Sequence, residues 1–127
     1  MIRRAVIAEP ENSAYLDSLG WVLYKRGQFE EAHRHLDAAI KHVDRADPVV
    51  LDHLGDVLYR LNQHEQAMKT WKLSLTRVDD SGPNREDLKT LKLQLRAKIK
   101  QQEAGQPVNV APIAGKPETQ AKTEGSN

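Results

Sequence analysis

The sequence contains no cysteine, which excludes disulfides and thiolate metal sites and leaves the redox compartment open. It has no excess of one charge. Lys and Arg number 19 against 18 Asp and Glu, for a formal net charge of +1, so no whole-molecule field steers it toward nucleic acid or an anionic membrane. It has no apolar run long enough to span a bilayer, and "MIRRAVIAEPEN" has two arginines but no h-region before Pro10. As written the chain reads as soluble and cytoplasmic, or periplasmic if further residues precede Met1. What is present is 127 residues with 39% hydrophobic content, enough for one domain with a modest core.

The strongest positive signal is internal repetition. "LGWVLYKRGQFEEA", residues 19–32, returns as "LGDVLYRLNQHEQA", residues 54–67, with eight of fourteen paired positions identical at a period of 35. The pairing extends outward, Leu16-Asp17 to Leu51-Asp52, Leu36 to Trp71 and Ile40 to Leu75. Leu16, Leu19, Gly20 and Leu23, like Leu51, Leu54, Gly55 and Leu58, fall at i, i+3, i+4 and i+7, which places them on one buried helical face. The spacing predicts helices over about 13–26 and 48–61. Asn12 or Ser13 caps the first, and Asp47 with Pro48 starts the second. Gly27 and Asn62 stand where a left-handed residue ends a helix.

Second helices over about 28–43 and 63–78 carry Ala32, Leu36, Ala39 and Ile40, then Ala67, Trp71, Ser74 and Leu75, on one face. Short connections make each pair an antiparallel hairpin. A glycine inside a helix costs about 1 kcal/mol relative to alanine. Its recurrence in register is explained if Gly20 and Gly55, opposite small alanines, let two helix backbones approach with no side chain between them.

These residues, Leu16, Leu19-Gly20, Ala32 and Leu36, then Leu51, Leu54-Gly55, Ala67 and Trp71, resemble the tetratricopeptide repeat, a helix-turn-helix unit with the pattern W-x2-L-G-x2-Y, A-x3-F and a closing proline. "AYLDSLGWVLYKRGQFEEA" is similar to bacterial members. Leu16 and Leu51 replace the usual Trp, Leu23 and Leu58 the usual Tyr, and "VDRADP" lengthens the loop before Pro48. The resemblance implies an all-α solenoid of two full repeats, 12–45 and 46–78, preceded by the end of a truncated repeat over 1–11. A linker and capping helix follow over 79–103, where Leu88, Leu91, Leu95 and Ile99 form an apolar stripe. Residues 104–127 alternate Pro and Gly with polar residues and are expected to be disordered.

Catalysis finds no candidate residues. His33 and His35 are two apart on a helix and point about 160° apart. His53 and His64 lie on separate helices without a ligand cluster, so no metal and no cofactor are expected. Ser13, Ser18, Ser74 and Ser81 lack a Ser/His/Asp pattern, and Glu30 and Glu31 sit at a helix start, where they favour the dipole.

A surface remains. Asp17, Trp21, Tyr24 and Lys25 on the first helix recur as Asp52, Asp56, Tyr59 and Arg60 on the second. The family resemblance makes these eight the concave groove that binds a peptide or partner protein. Trp21 is the foremost anchor, because its counterpart is Asp56 and the repeat does not require it. Relatives that grip a chaperone's terminal carboxylate carry Lys and Asn on this face, so a carboxylate clamp is not expected here. Asp52 and Asp56, a like-charge pair at i and i+4, need a cation, for which Arg60 is the candidate, and they favour a ligand with basic and apolar side chains.

The expected function is a non-catalytic protein-interaction module. One rival is a capped fragment of a larger repeat protein, whose contacts are with missing N-terminal repeats or a second copy. Another is a nucleic-acid accessory role through the capping helix, which carries six Lys or Arg against three acids over 84–103. A solvated cap face outweighs that role.

Overall fold

The computed structural model describes residues 13–41 and 46–114. It contains helices α1 (Ser13–Lys25), α2 (Phe29–Lys41), α3 (Pro48–Arg60) and α4 (His64–Asp80), a 3-10 turn (Glu86–Leu88), and α5 (Lys89–Glu103). Each helix packs on the next, and α1 also touches α3, so α1 and α3 stand side by side as the first helices of two hairpins. The chain is an all-α helical repeat. The expected half repeat over 1–11 and the Asn12 cap lie outside the described residues.

Local chemistry accounts for the helix boundaries. The Asp47 carboxylate accepts from the Val49 N–H at 2.8 Å and Pro48 opens α3. Gly27 and Asn62 take φ of +82° and +65°. Both first helices end with the same pair of backbone bonds: Gly27 N–H to Tyr24 O with Gln28 N–H to Leu23 O, and Asn62 N–H to Tyr59 O with Gln63 N–H to Leu58 O. The second copy replaces Gly with Asn, a residue that tolerates left-handed backbone, and keeps the turn intact.

Leu16, Leu36, Ala32, Leu51, Leu54, Ala67 and Trp71 are buried. So are Gly20 and Gly55, whereas Leu19 and Leu23 are half-buried. Their counterparts Leu54 and Leu58 are covered because α3 lies between α2 and α4, while α1 has described neighbours on one side only. The capping helix turns Leu91, Leu95 and Ile99 inward against α4.

The role of the two glycines meets the sequence expectation in part: the Ala32 backbone closely approaches Gly20, whereas at Gly55 the nearest atoms all belong to the Trp71 side chain. A Cβ on Gly20 would stand 2.7 Å from Leu36 Cγ and 3.3 Å from the Ala32 carbonyl, and one on Gly55 would fall on the Trp71 indole. Each glycine is the floor on which the large side chain of the paired helix lies.

The expectation of disorder is corrected for residues 104–114. Gly105, at φ +74°, ends α5 and turns the chain back, and Val108 and Val110 are 7% and 8% exposed, packed on the core. The average composition is that of a disordered segment, but Val108 and Val110, two apart between prolines, are buried on the core by a tight turn in which the Val110 N–H donates to the Val108 carbonyl at 3.1 Å. Residues 115–127 lie outside the described residues.

The glycine geometry has a measurable consequence. Trp71 is fully buried and its ring cannot yield as the tip of a leucine can. Gly55→Leu and Gly20→Leu are each expected to destabilise by roughly 1–3 kcal/mol through overpacking. In urea melts Gly55→Ala should be the costlier of the two alanine variants, despite the ~1 kcal/mol that alanine gains in a helix.

Candidate functional site

The helical period puts Asp17, Trp21, Tyr24 and Lys25 of α1 beside Asp52, Asp56, Tyr59 and Arg60 of α3, and α5 adds Gln94, Lys98 and Gln101 to the same side. The structure therefore brings the eight groove residues onto one side of the molecule. It does not leave them as an open surface. Tyr24 is 0% and Asp56 1% exposed, and Asp52 is buried. Three internal partners cover them: His53, Lys98 and the segment 107–114.

Across the first interface, His53 Nδ1 is 2.8 Å from Asp17 Oδ1. The His53 ring stacks on Trp21 at 3.7 Å and 14° between planes, and Trp21 stacks in turn on Tyr24 at 4.5 Å and 12°. Lys25 Nζ lies 5.7 Å from the Trp21 ring centre. Trp21 thus forms the middle of a three-ring stack that joins α1 to α3, and it stays partly open to solvent.

The cation that answers Asp52 and Asp56 is Lys98, not Arg60 as the sequence suggests. Lys98 Nζ donates to Asp52 Oδ1 and Asp56 Oδ1, both at 2.7 Å. Asp56 Oδ1 also accepts from Trp71 Nε1 at 3.1 Å, and Oδ2 from the Ala111 N–H at 3.2 Å. Burial, reinforced by the repulsion of Asp52, pushes the Asp56 carboxyl up to about 6 against the pull of Lys98. Burial alone would lower the Lys98 pKa, but the attraction of Asp56 and Asp52 wins and holds its ammonium above the usual lysine value. With both carboxylates met from within the chain, the ground for a basic ligand disappears.

Arg60 has a different task. Its Nε donates to the Tyr24 hydroxyl at 3.0 Å and its Nη2 to the Ala111 carbonyl at 2.7 Å, while the Tyr24 hydroxyl donates to that same carbonyl. Further along, the Val108 N–H donates to the Tyr59 hydroxyl at 3.0 Å and the Asn109 N–H to Gln101 Oε1 at 3.0 Å. The Ala114 N–H donates to the Lys25 carbonyl at 2.7 Å. Segment 107–114 therefore crosses α3 to the end of α1 as irregular chain, with a tight turn at Asn109 closed by the Val110 N–H to Val108 O bond of 3.1 Å, and it is held mainly through its main chain. Beside it a cleft of about 530 Å³ remains, bordered by Trp21, His53, Gln94, Lys98 and Asn109.

Lys98, His53 and the Val108–Ala111 stretch were not among the groove residues that the sequence singles out. Lys98 stands three residues after Leu95, on the buried stripe itself, and Val108 and Val110 carry a period of two between Pro107 and Pro112. Both signals were legible. The pairing of His53 with Asp17 had none, because the packing of α1 on α3 creates it.

Much of the basic charge of the capping helix is paired, while Arg96 and Lys100 remain exposed on it. Lys98 is buried, Lys92 reaches Asp79 at 3.0 Å, Lys89 reaches Glu86 at 3.2 Å, and Arg85 grips Asp87 just before the helix. Among the described residues no group of three His, Asp or Glu could hold a metal ion, and no helix is long and apolar enough to cross a membrane.

A family model for the tetratricopeptide repeat matches residues 13–45, a stretch that contains α1 and α2. No curated protein and no solved structure matches.

Two outcomes follow from the charge cluster. Lys98→Met leaves two buried carboxylates without their cation and is expected to cost about 3–5 kcal/mol in chemical denaturation. Because the folded Asp56 pKa lies above its unfolded value of 3.8, its contribution to stability is full below pH 4 and is lost as pH rises through about 6. In urea melts at pH 4.5 and pH 7, wild type should therefore lose stability relative to Asp56→Asn at the higher pH, by of order 1–3 kcal/mol.

Proposed function

We propose that this chain is a protein-interaction module without chemistry of its own, and that it takes a non-helical stretch of polypeptide on the face shared by α1, α3 and α5. Tetratricopeptide repeats in general mediate protein–protein contacts, and the match over 13–45 carries that general role to this chain. The single observation that supports the finer reading is the seating of segment 107–114. The Tyr59, Asp56, Arg60, Tyr24 and Gln101 side chains meet main-chain N–H and C=O groups of Val108, Asn109 and Ala111.

Buried polar side chains need partners, and a face built only to be covered by another helix would carry apolar groups there. A face that presents Asp, Arg and Tyr to main-chain groups suits polypeptide whose N–H and C=O groups are not taken up in a helix. Trp21 supplies the apolar anchor. Its ring is held in orientation by His53 and Tyr24, so little side-chain freedom is lost on contact.

Peptides selected by display on the full chain provide the test. Trp21→Ala is expected to weaken selected peptides by roughly tenfold or more, in line with the ~2 kcal/mol of a hot-spot aromatic, without loss of helical circular dichroism. Equal affinity for wild type and for the combined Trp21→Ala, Arg60→Ala variant would place the partner elsewhere.

A further inference from the structure

Segment 107–114 lies on this face, and its chemistry is specific. It carries no charged side chain. Val108 and Val110 are both buried against the core, brought together by the tight turn in which the Val110 N–H donates to the Val108 carbonyl at 3.1 Å. Ala111 is read on both of its main-chain groups, its N–H by Asp56 and its carbonyl by Arg60 and Tyr24. A proline at that position, or at 108, would remove an N–H that Asp56 or Tyr59 accepts, whereas Pro112 follows where the described contacts ask for no donor.

Resting on the peptide-binding reading above, we propose that the face recognises uncharged, non-helical segments of the form Val-x-Val-Ala-Pro, turned at x as the internal segment is. In the folded chain residues 107–114 fill it in cis, so that an external segment of this class binds by displacing them.

The tether makes the internal copy effective. Only residues 104–107 separate the end of α5 from Val108, and the turn at Gly105 is closed by the Gln106 N–H to Gln101 O bond of 2.9 Å. A tether this short gives an effective concentration on the order of 1 mM, so a segment of ~0.1 mM intrinsic Kd loses about tenfold in apparent affinity to the internal competitor. The seated contacts join main chain to side chain and methyl to core, with no ion pair to the segment, so the competition should vary little with salt.

The test uses the full chain and, as probe, a synthetic peptide of residues 105–114, GQPVNVAPIA. In wild type the Val108, Ala111 and Ala114 amides should be protected from hydrogen exchange. In the Val108→Asp, Val110→Asp double variant they should lose that protection with helical circular dichroism unchanged, and the probe should bind the variant about tenfold more tightly than wild type. Equal binding of the probe to both chains would overturn cis occupancy and leave the peptide-binding reading standing. No binding to the variant, with its segment amides exchanging freely, would overturn both. The isosteric Val110→Thr is measured alongside, and an intermediate gain in probe affinity is expected. Wild-type amides without protection would overturn the proposal whatever the variants do.

Discussion

A carboxylate taken out of water must find donors, and at Asp56 three parts of the chain supply them. Trp71 comes from the second helix of the same hairpin, Lys98 from the capping helix, and the Ala111 N–H from the segment that returns over the face. Removing any one leaves the others to satisfy a buried charge, which is why the position acts as the knot of the C-terminal half rather than as a surface acid. The Trp71 ring that donates to Asp56 is also the ring that lies on Gly55. The absence of a side chain at 55 and the presence of a carboxylate at 56 therefore fix one indole from two sides.

The two repeats share a backbone plan and diverge where their neighbours differ. Position 21 and position 56 are equivalent, yet one holds an indole in a ring stack and the other a buried acid. Asp17 and Asp52 are likewise equivalent, and they pair with His53 and Lys98 respectively. In each case the partner comes from the next first-type helix along the stack, α3 for α1 and α5 for α3. The capping helix thus follows the logic of a third repeat on this side while closing the array on the other. A polar residue projecting from one first-type helix is answered by a residue of the next, which ties neighbouring units together across a face that also receives polypeptide.

The seated segment explains how a face with two acids and an arginine takes an uncharged ligand. Its charges are consumed in orientation. Lys98 neutralises the acids, Arg60 and Tyr24 converge on one carbonyl, and what remains toward the ligand is a row of groups that read main chain. Recognition by main chain constrains form more than composition, and the pockets that receive Val108 and Val110 add the side-chain preference. Trp21 and the cleft beside it lie at the margin of this occupied strip.

The repeat period, the hairpins, the left-handed residues that end α1 and α3, and the membership of the inner face were all determined by the sequence, because they depend on periodicity and on backbone chemistry within a few residues. That the eight residues share one side of the molecule follows from equivalent positions on equivalent helices, but the burial of Tyr24, Asp52 and Asp56 does not. What fills that face was decided only by tertiary structure. Lys98 reaches Asp52 and Asp56 across more than forty positions of chain, Arg60 serves a carbonyl fifty-one residues away, and a proline-rich stretch with a disordered composition becomes ordered because donors and apolar surface await it. Local pattern cannot foresee such pairings. Their free energy comes from partners that meet only after the helices have stacked.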